Sequence, residues 1–308
     1  MTQTRSSIVP YISLLAATLL WASSFIALKT AFTVYDPMLV IFGRMFVALI
    51  FILIFLKPLR NIQFRRRDFK YLLFLGLCEP CLYFVFEALA LKHTSASQAG
   101  MITATLPLIV AIPAWFFLKE QMTPRIWTGF ILAVAGVCLL SIGSEITENA
   151  PNPLLGNFLE FMAMVAASGY IITMRYLSTS YHSLFITSFQ AFIGTLFYFP
   201  LLFLPTTELP DTFVAVPAFS IIYLGIFVTF GAYGCYNYAV SQIPASQATA
   251  FINLIPVFTL IMGVLILGDV LTPLQIGAAL LVFLGIYISQ TRRAPKPAIS
   301  TITDSSKH

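Results

Sequence analysis

A chain of 308 residues with 59% hydrophobic and only 9% charged side chains is not an ordinary soluble domain, in which about 25% of residues are charged. The formal net charge of +5 does not mark a nucleic-acid partner, because the basic residues crowd one connection: Lys57, Arg60, Arg65, Arg66, Arg67 and Lys70. Apolar runs near 20 residues recur along the chain, each long enough to cross a hydrocarbon core of roughly 30 Å, so the solvent for this sequence is lipid.

In chain order the first run, from about Val9 to Leu28, follows a single basic residue, Arg5. It is too long for a signal peptide and has no convincing cleavage site, so it reads as the first span. Breaks at polar, charged or proline-bearing segments then place spans at 9–29, 37–57, 70–92, 95–118, 124–143, 155–177, 182–204, 217–240, 245–268 and 272–291. Continuous apolar runs without strict alternation exclude a β-barrel and leave helices. The expected fold is an all-α polytopic membrane protein with ten transmembrane helices.

Charge sets the orientation. With ten spans, Arg5, the Lys57–Lys70 cluster, Lys119, Arg125, Arg175, Arg292, Arg293 and Lys296 fall on one side. Asp36, Glu145, Glu148, Glu208, Asp211 and Asp269 fall on the other, where Lys29 and Lys92 are the basic residues. Positive loops stay inside, so both termini are expected in the cytoplasm and the chain in the cell (inner) membrane.

A repeat supports the same count. Ala96-Ser97-Gln98-Ala99 with Pro107 matches Ala245-Ser246-Gln247-Ala248 with Pro256, and the same register of 149 residues pairs Gly76 with Gly225, Glu120 with Asp269, Thr123-Pro124 with Thr272-Pro273, and Gly136 with Gly285. Five spans per copy is an odd number, so the second copy is inverted relative to the first. Inverted repeats of this kind place substrate sites near the midplane, between the halves. The expected division is a cytoplasmic tail 1–8, a first repeat 9–143, an extracytoplasmic linker 144–154, a second repeat 155–291 and a cytoplasmic tail 292–308.

Several motifs together resemble the EamA-type branch of the drug/metabolite transporter superfamily. They are Trp21-Ala22-Ser23-Ser24-Phe25, Glu87-Ala88-Leu89-Ala90, Thr94 through Ala99, Leu106-Pro107-Leu108, Leu118-Lys119-Glu120, Thr123-Pro124, and Gly129 through Gly136. The second copy repeats the pattern, except that Asp269 stands where the family usually has Glu. The resemblance implies two inverted five-helix repeats and export of amino acids, drugs or other metabolites. It attaches no inherited role to Glu79-Pro80 or to Glu87.

The third span holds Glu79, Tyr83 and Glu87 at i, i+4 and i+8, along one side of a helix. A charge at mid-membrane costs about 2.5–3.5 kcal/mol on insertion scales, so these carboxyls should face protein or water. Glu87 is expected at the depth of Arg44 in span two, as an ion pair that holds helices together or as a substrate or proton group. Glu79 has no basic residue at its depth, which suits a proton-coupling carboxyl or a carboxyl bonded to a neighbouring helix. Glu160 reads as interfacial and receives no transport role.

Trp21, Arg44, Glu79, Tyr83, Glu87, Gln190, Tyr233, Tyr236, Asn237 and Asn253 are the candidate substrate-binding residues. The amides need partners inside a bundle and serve either as interhelical glue or as cavity lining. Pro107 and Pro256 should kink spans four and nine at one depth, as hinges or as static bends. Small residues at Ala96-Gly100-Ala104 and Gly129-Ala133 should allow close helix contact.

The sequence lacks a phosphate-binding Walker loop, an H-E-x-x-H and a G-x-S-x-G, so neither a cofactor nor a metal is expected. Cys78 and Cys81 read as small apolar residues one turn apart rather than as a redox motif. The reading is a secondary transporter exporting small polar or amphiphilic metabolites, with proton coupling left open. A membrane-embedded enzyme acting on lipid or peptide is the alternative, and a channel ranks third. Expected partners are a small-molecule substrate, the lipid bilayer and protons, with no nucleic acid. Substrate identity, transport direction, coupling ion and oligomeric state are not written in these motifs.

Overall fold

The computed structural model describes residues 8–54, 64–118, 123–143, 146–148, 150–178, 180–242 and 251–290. Expectations for both tails, loop residues 57–63, Glu120 and the Ala245–Ala248 motif lie outside these residues, as do those for the side chains of Arg175 and Asn237. The described residues form helices and no β-sheet. Seven helices are long and apolar enough to cross a membrane, and Pro37–Leu53, Ile255–Leu267 and Pro273–Ser289 are shorter apolar helices. Large apolar side chains such as Phe116 (70% exposed), Leu265 (77%) and Tyr287 (71%) cover the outside. In water such a surface would aggregate; in lipid it is the ordinary exterior of a polytopic protein.

Helix starts follow proline and capping chemistry. Helix α1 (Val9–Phe32) has Pro10 in its first turn. Helix α2 (Pro37–Leu53) is capped by Asp36, whose carboxylate accepts the Met38 N–H at 2.8 Å. The third span is discontinuous: α3 (Phe69–Gly76) and α4 (Tyr83–His93) are joined by Leu77–Leu82, with Glu79 extended at φ −146° and ψ 117°. Pro80 lacks an N–H and disfavours helical geometry in the residue before it.

The fourth span is split as well, into α5 (Ala96–Thr103) and α6 (Leu106–Leu118). Pro107 follows a two-residue turn, Ala104 and Thr105, within the single span Ala96–Phe117, so the expected kink takes the form of a short interruption. Thr123 and Asn152 cap α7 (Pro124–Ile142) and α8 (Pro153–Leu177), and His182 caps α9 (Ser183–Leu201). The next span is α10 (Ala215–Tyr223) and α11 (Tyr233–Gln242), joined by wide turns over Leu224–Ala232. Helix α12 (Ile255–Met262) carries Pro256 in its first turn and continues by wide turns to Gly268, whose φ of +71° ends it. The last is α13 (Pro273–Gln290).

The register of 149 residues recurs in this architecture. The interruptions at Leu77–Leu82 and Leu224–Ala232 correspond, as do the breaks before Pro107 and Pro256. Helix α2 packs on α9, α5 on α12 and α7 on α13; α4 packs on α8 as α11 packs on α1. The α7–α13 contact is the tightest: a Cβ at Gly136 would lie 2.9 Å from the Ala278 carbonyl, and one at Gly285 would lie 2.6 Å from that of Gly129. Gly100 likewise lies against Thr259 of α12. Small residues thus let backbones meet where dispersion and close packing drive helix association.

Candidate functional site

The interruption frees the Glu79 carbonyl, because the Tyr83 N–H that a continuous helix would give it bonds the Cys78 and Pro80 carbonyls instead, and one face of α9 meets this segment. Gln190 Nε2 donates to the Glu79 carbonyl at 2.9 Å, and the Tyr198 hydroxyl lies 2.7 Å from the Cys81 carbonyl and 3.1 Å from that of Pro80. Between them Gly194 leaves room for the proline ring, since a Cβ there would lie 2.7 Å from Pro80 Cγ. Gln190, Gly194 and Tyr198 are at i, i+4 and i+8, which on a helix is one stripe. This cradle fixes where the Glu79 side chain emerges.

The Glu79 carboxylate accepts a hydrogen bond from the Tyr233 hydroxyl of α11. Tyr170 of α8 lies within electrostatic reach of both Glu79 and Tyr233. The Trp21 ring of α1 lies 5.4 Å from the Tyr233 ring and 5.3 Å from the Tyr236 ring. The Glu79 carboxyl thus meets Tyr233 directly, and Trp21 links that tyrosine to Tyr236 in an aromatic cluster from α1 and α11, with Tyr170 of α8 in electrostatic reach. Ring faces and a carboxylate together suit a cationic or amphiphilic group. Tyr170 was not among the candidates read from sequence, although it stands 149 residues from Trp21, so the repeat register could have identified it.

One turn on, Tyr83 donates to Glu87 Oε1 at 2.8 Å. The expected ion pair between Arg44 and Glu87 does not form. Arg44 Nε instead donates to Thr229 Oγ1 at 2.9 Å, and its guanidinium lies 4.2 Å from the centre of the Phe84 ring. Thr229 can meet it because its hydroxyl also donates to the Leu224 carbonyl, five residues back, inside the wide turns between α10 and α11. Arg44 remains near enough to act electrostatically on Glu87 and Glu79.

Glu160 departs furthest from expectation: it is 0% exposed, and both carboxylate oxygens lack a hydrogen-bond partner. Helix α8 begins at Pro153, two turns earlier, which sinks Glu160 about 10 Å along the helix rather than leaving it at the interface. Asn253 also carries a buried, unpartnered side-chain oxygen. Glu79 and Glu87 are only 6% and 2% exposed, so this centre is closed. A cavity of about 530 Å³ lies instead at one end of the bundle, lined by Lys29, Lys92, Glu148 and Asp269 among others. There Asp269 Oδ2 accepts the Ser97 N–H at the start of α5, at 3.0 Å. Cys78 and Cys81 are free and buried, as expected for small apolar residues.

Comparison with known proteins gives the centre a context. Residues 8–142 and again 154–291 match the EamA-like transporter family. An uncharacterized transporter of Archaeoglobus fulgidus is 27% identical over 89% of this chain and 95% of its own length. The uncharacterized transporter YetK of Bacillus subtilis is 25% identical over 66% of this chain and 62% of its own. A probable terminal-alkyne amino-acid exporter of Streptantibioticus cattleyicolor is 25% identical over 88% and 90%, respectively. A crystal structure superposes with a TM-score of 0.60 at 17% identity, covering 93% of this chain and 97% of the other, a likeness of fold.

Proposed function

Because the chain belongs to the EamA-like transporter family, we propose that it exports small amphiphilic metabolites carrying an ammonium group, amino acids foremost, by alternating access across the cell membrane. The protein is a multi-pass membrane transporter and not an enzyme. The observation that carries the substrate reading is the Glu79 carboxylate among Trp21, Tyr170, Tyr233 and Tyr236. An ammonium group would be held by the carboxylate and the ring faces, while an apolar side chain would rest on the same rings. The relative named as a probable amino-acid exporter fits this class.

The ten-span arrangement with two inverted halves, 9–143 and 155–291, is supported by the two family matches, the shared register of helix interruptions and the matched helix pairings. In this reading both termini are cytoplasmic, and the site lies between the halves, near the midplane. The breaks before Pro107 and Pro256 serve as hinges. Gln190 and Arg44 shape the site rather than touch substrate, Gln190 by holding the Glu79 backbone and Arg44 through its charge.

Glu79 is the coupling carboxyl in this scheme, because a group that changes partner as access changes can take up a proton on one side and release it on the other. Flux into proteoliposomes tests the whole reading. Saturable counterflow of amino acids, weakened in analogues that lack the ammonium group, is expected; ohmic current or indifference to that group would refute it. Glu79→Gln should abolish accumulation driven by a pH gradient, and normal accumulation would remove Glu79 from the mechanism.

A further inference from the structure

We propose that Glu87 and Glu160 form a second carboxyl centre, distinct from Glu79, that holds a single exchangeable proton between α4 and α8. The two helices pack along one another, and Glu87 is the charged side chain that acts on Glu160. Glu87 is 2% exposed and Glu160 0%. Of their four carboxylate oxygens, three have no hydrogen-bond partner: Glu87 Oε2 and both oxygens of Glu160. The fourth, Glu87 Oε1, accepts from Tyr83.

Two buried carboxylates on packed helices, within electrostatic reach of one another, both ionised and largely unbonded, would meet both the loss of hydration and mutual repulsion. A proton shared between Glu160 and Glu87 Oε2 removes the repulsion and satisfies two of the three orphan oxygens at once. The neighbours assign its resting place. Tyr83 already donates to Glu87 while Glu160 has no donor of its own, so Glu87 is the acceptor of the shared proton and Glu160 its carrier.

The remaining groups that reach the pair are Tyr198 from α9 and Glu79, which acts electrostatically on Glu87 directly as well as through Tyr83. Helices α5 and α6, which also pack on α8, carry no titratable side chain. Lys29 of α1, Lys70 and Tyr71 of α3 and Arg125 of α7 sit near the ends of their helices. A proton is the occupant of choice because the two carboxyls are at most 2% exposed, which leaves a hydrated cation no access.

This assignment deepens the transporter reading by giving a coupling proton a second place to reside, and its test needs no transport. Infrared spectra of the purified full-length protein are recorded through an alkaline titration, with and without sodium chloride. Glu160→Gln should lose one protonated-carboxyl component that Glu79→Gln retains. Glu87→Gln should shift the frequency of that component, because its acceptor changes from a carboxylate to an amide, and this variant carries the test alone if Glu160→Gln does not fold. An unchanged band in Glu160→Gln or an unshifted one in Glu87→Gln would overturn the centre. Loss of the component on adding sodium at constant pH would overturn the proton as its occupant.

Discussion

Removing the Tyr198 hydroxyl tests whether the α9 cradle holds the broken span in place. The hydroxyl has one proton for two carbonyls and lies nearer Cys81, at 2.7 Å, than Pro80, at 3.1 Å. Tyr198 is 0% exposed, so no water replaces it. A side-chain hydrogen bond between membrane helices is worth about 0.6–2 kcal/mol, and a buried carbonyl left without a donor costs about 1–3 kcal/mol. Tyr198→Phe should therefore destabilise the segment by about 1–2 kcal/mol, which is roughly a 5- to 30-fold larger open population.

Cys78 and Cys81 report that opening directly, being free and buried within the interrupted stretch. In a background lacking Cys138 and Cys235, their rate of modification by a thiol reagent should rise by that factor. Gln190→Met, which frees the Glu79 carbonyl two residues away, should act in the same direction. The double variant should fall short of the sum by about 0.5 kcal/mol or more, because both bonds hold one segment. Modification rates within about twofold of the parent in both single variants would refute the cradle.

Gly136→Ala should destabilise the protein by about 1–3 kcal/mol, seen as an earlier thermal transition in detergent, since the added methyl meets the Ala278 carbonyl at 2.9 Å. Thr229→Val should cost about 1.5–3 kcal/mol by removing the acceptor of Arg44 Nε, and a silent substitution in the same melt would show that Arg44 has another partner. Gln63→Cys, in a cysteine-free background, should resist a membrane-impermeant maleimide in intact cells and react after lysis. Strong labelling from outside would sink the termini-in topology.

Some of this centre was legible in the residues and some was not. Tyr83 and Glu87 share one side of α4, as their spacing implied, but Glu79 lies in the extended interruption before it, a break that the continuous span read across Pro80 missed. The Arg44 pairing could not be read, because depth along a helix does not say where a long side chain points; Thr229, exposed by wide turns on another helix, won it. Glu160 was read as interfacial from its distance along the span, which does not say what packs around it; in the fold α4, α5 and α6 pack on α8 and Glu160 is fully buried. At Pro107 and Pro256 the helix is interrupted by two turn residues whose backbone stays near helical angles, a local kink at matching positions of the two copies.

The cradle also sets an order of events during synthesis. Gln190 lies 111 residues after the carbonyl it serves, and at ribosomal rates of about 5–20 residues per second that gap lasts on the order of 5 to 20 s. For that interval the nascent third span carries an unmet carbonyl at Glu79, which disfavours a pure lipid environment. It must wait beside water or the insertion machinery until α9 emerges. The first half of the chain is therefore not a self-sufficient insertion unit, and translational pausing between residues 81 and 190 would prolong its most vulnerable state.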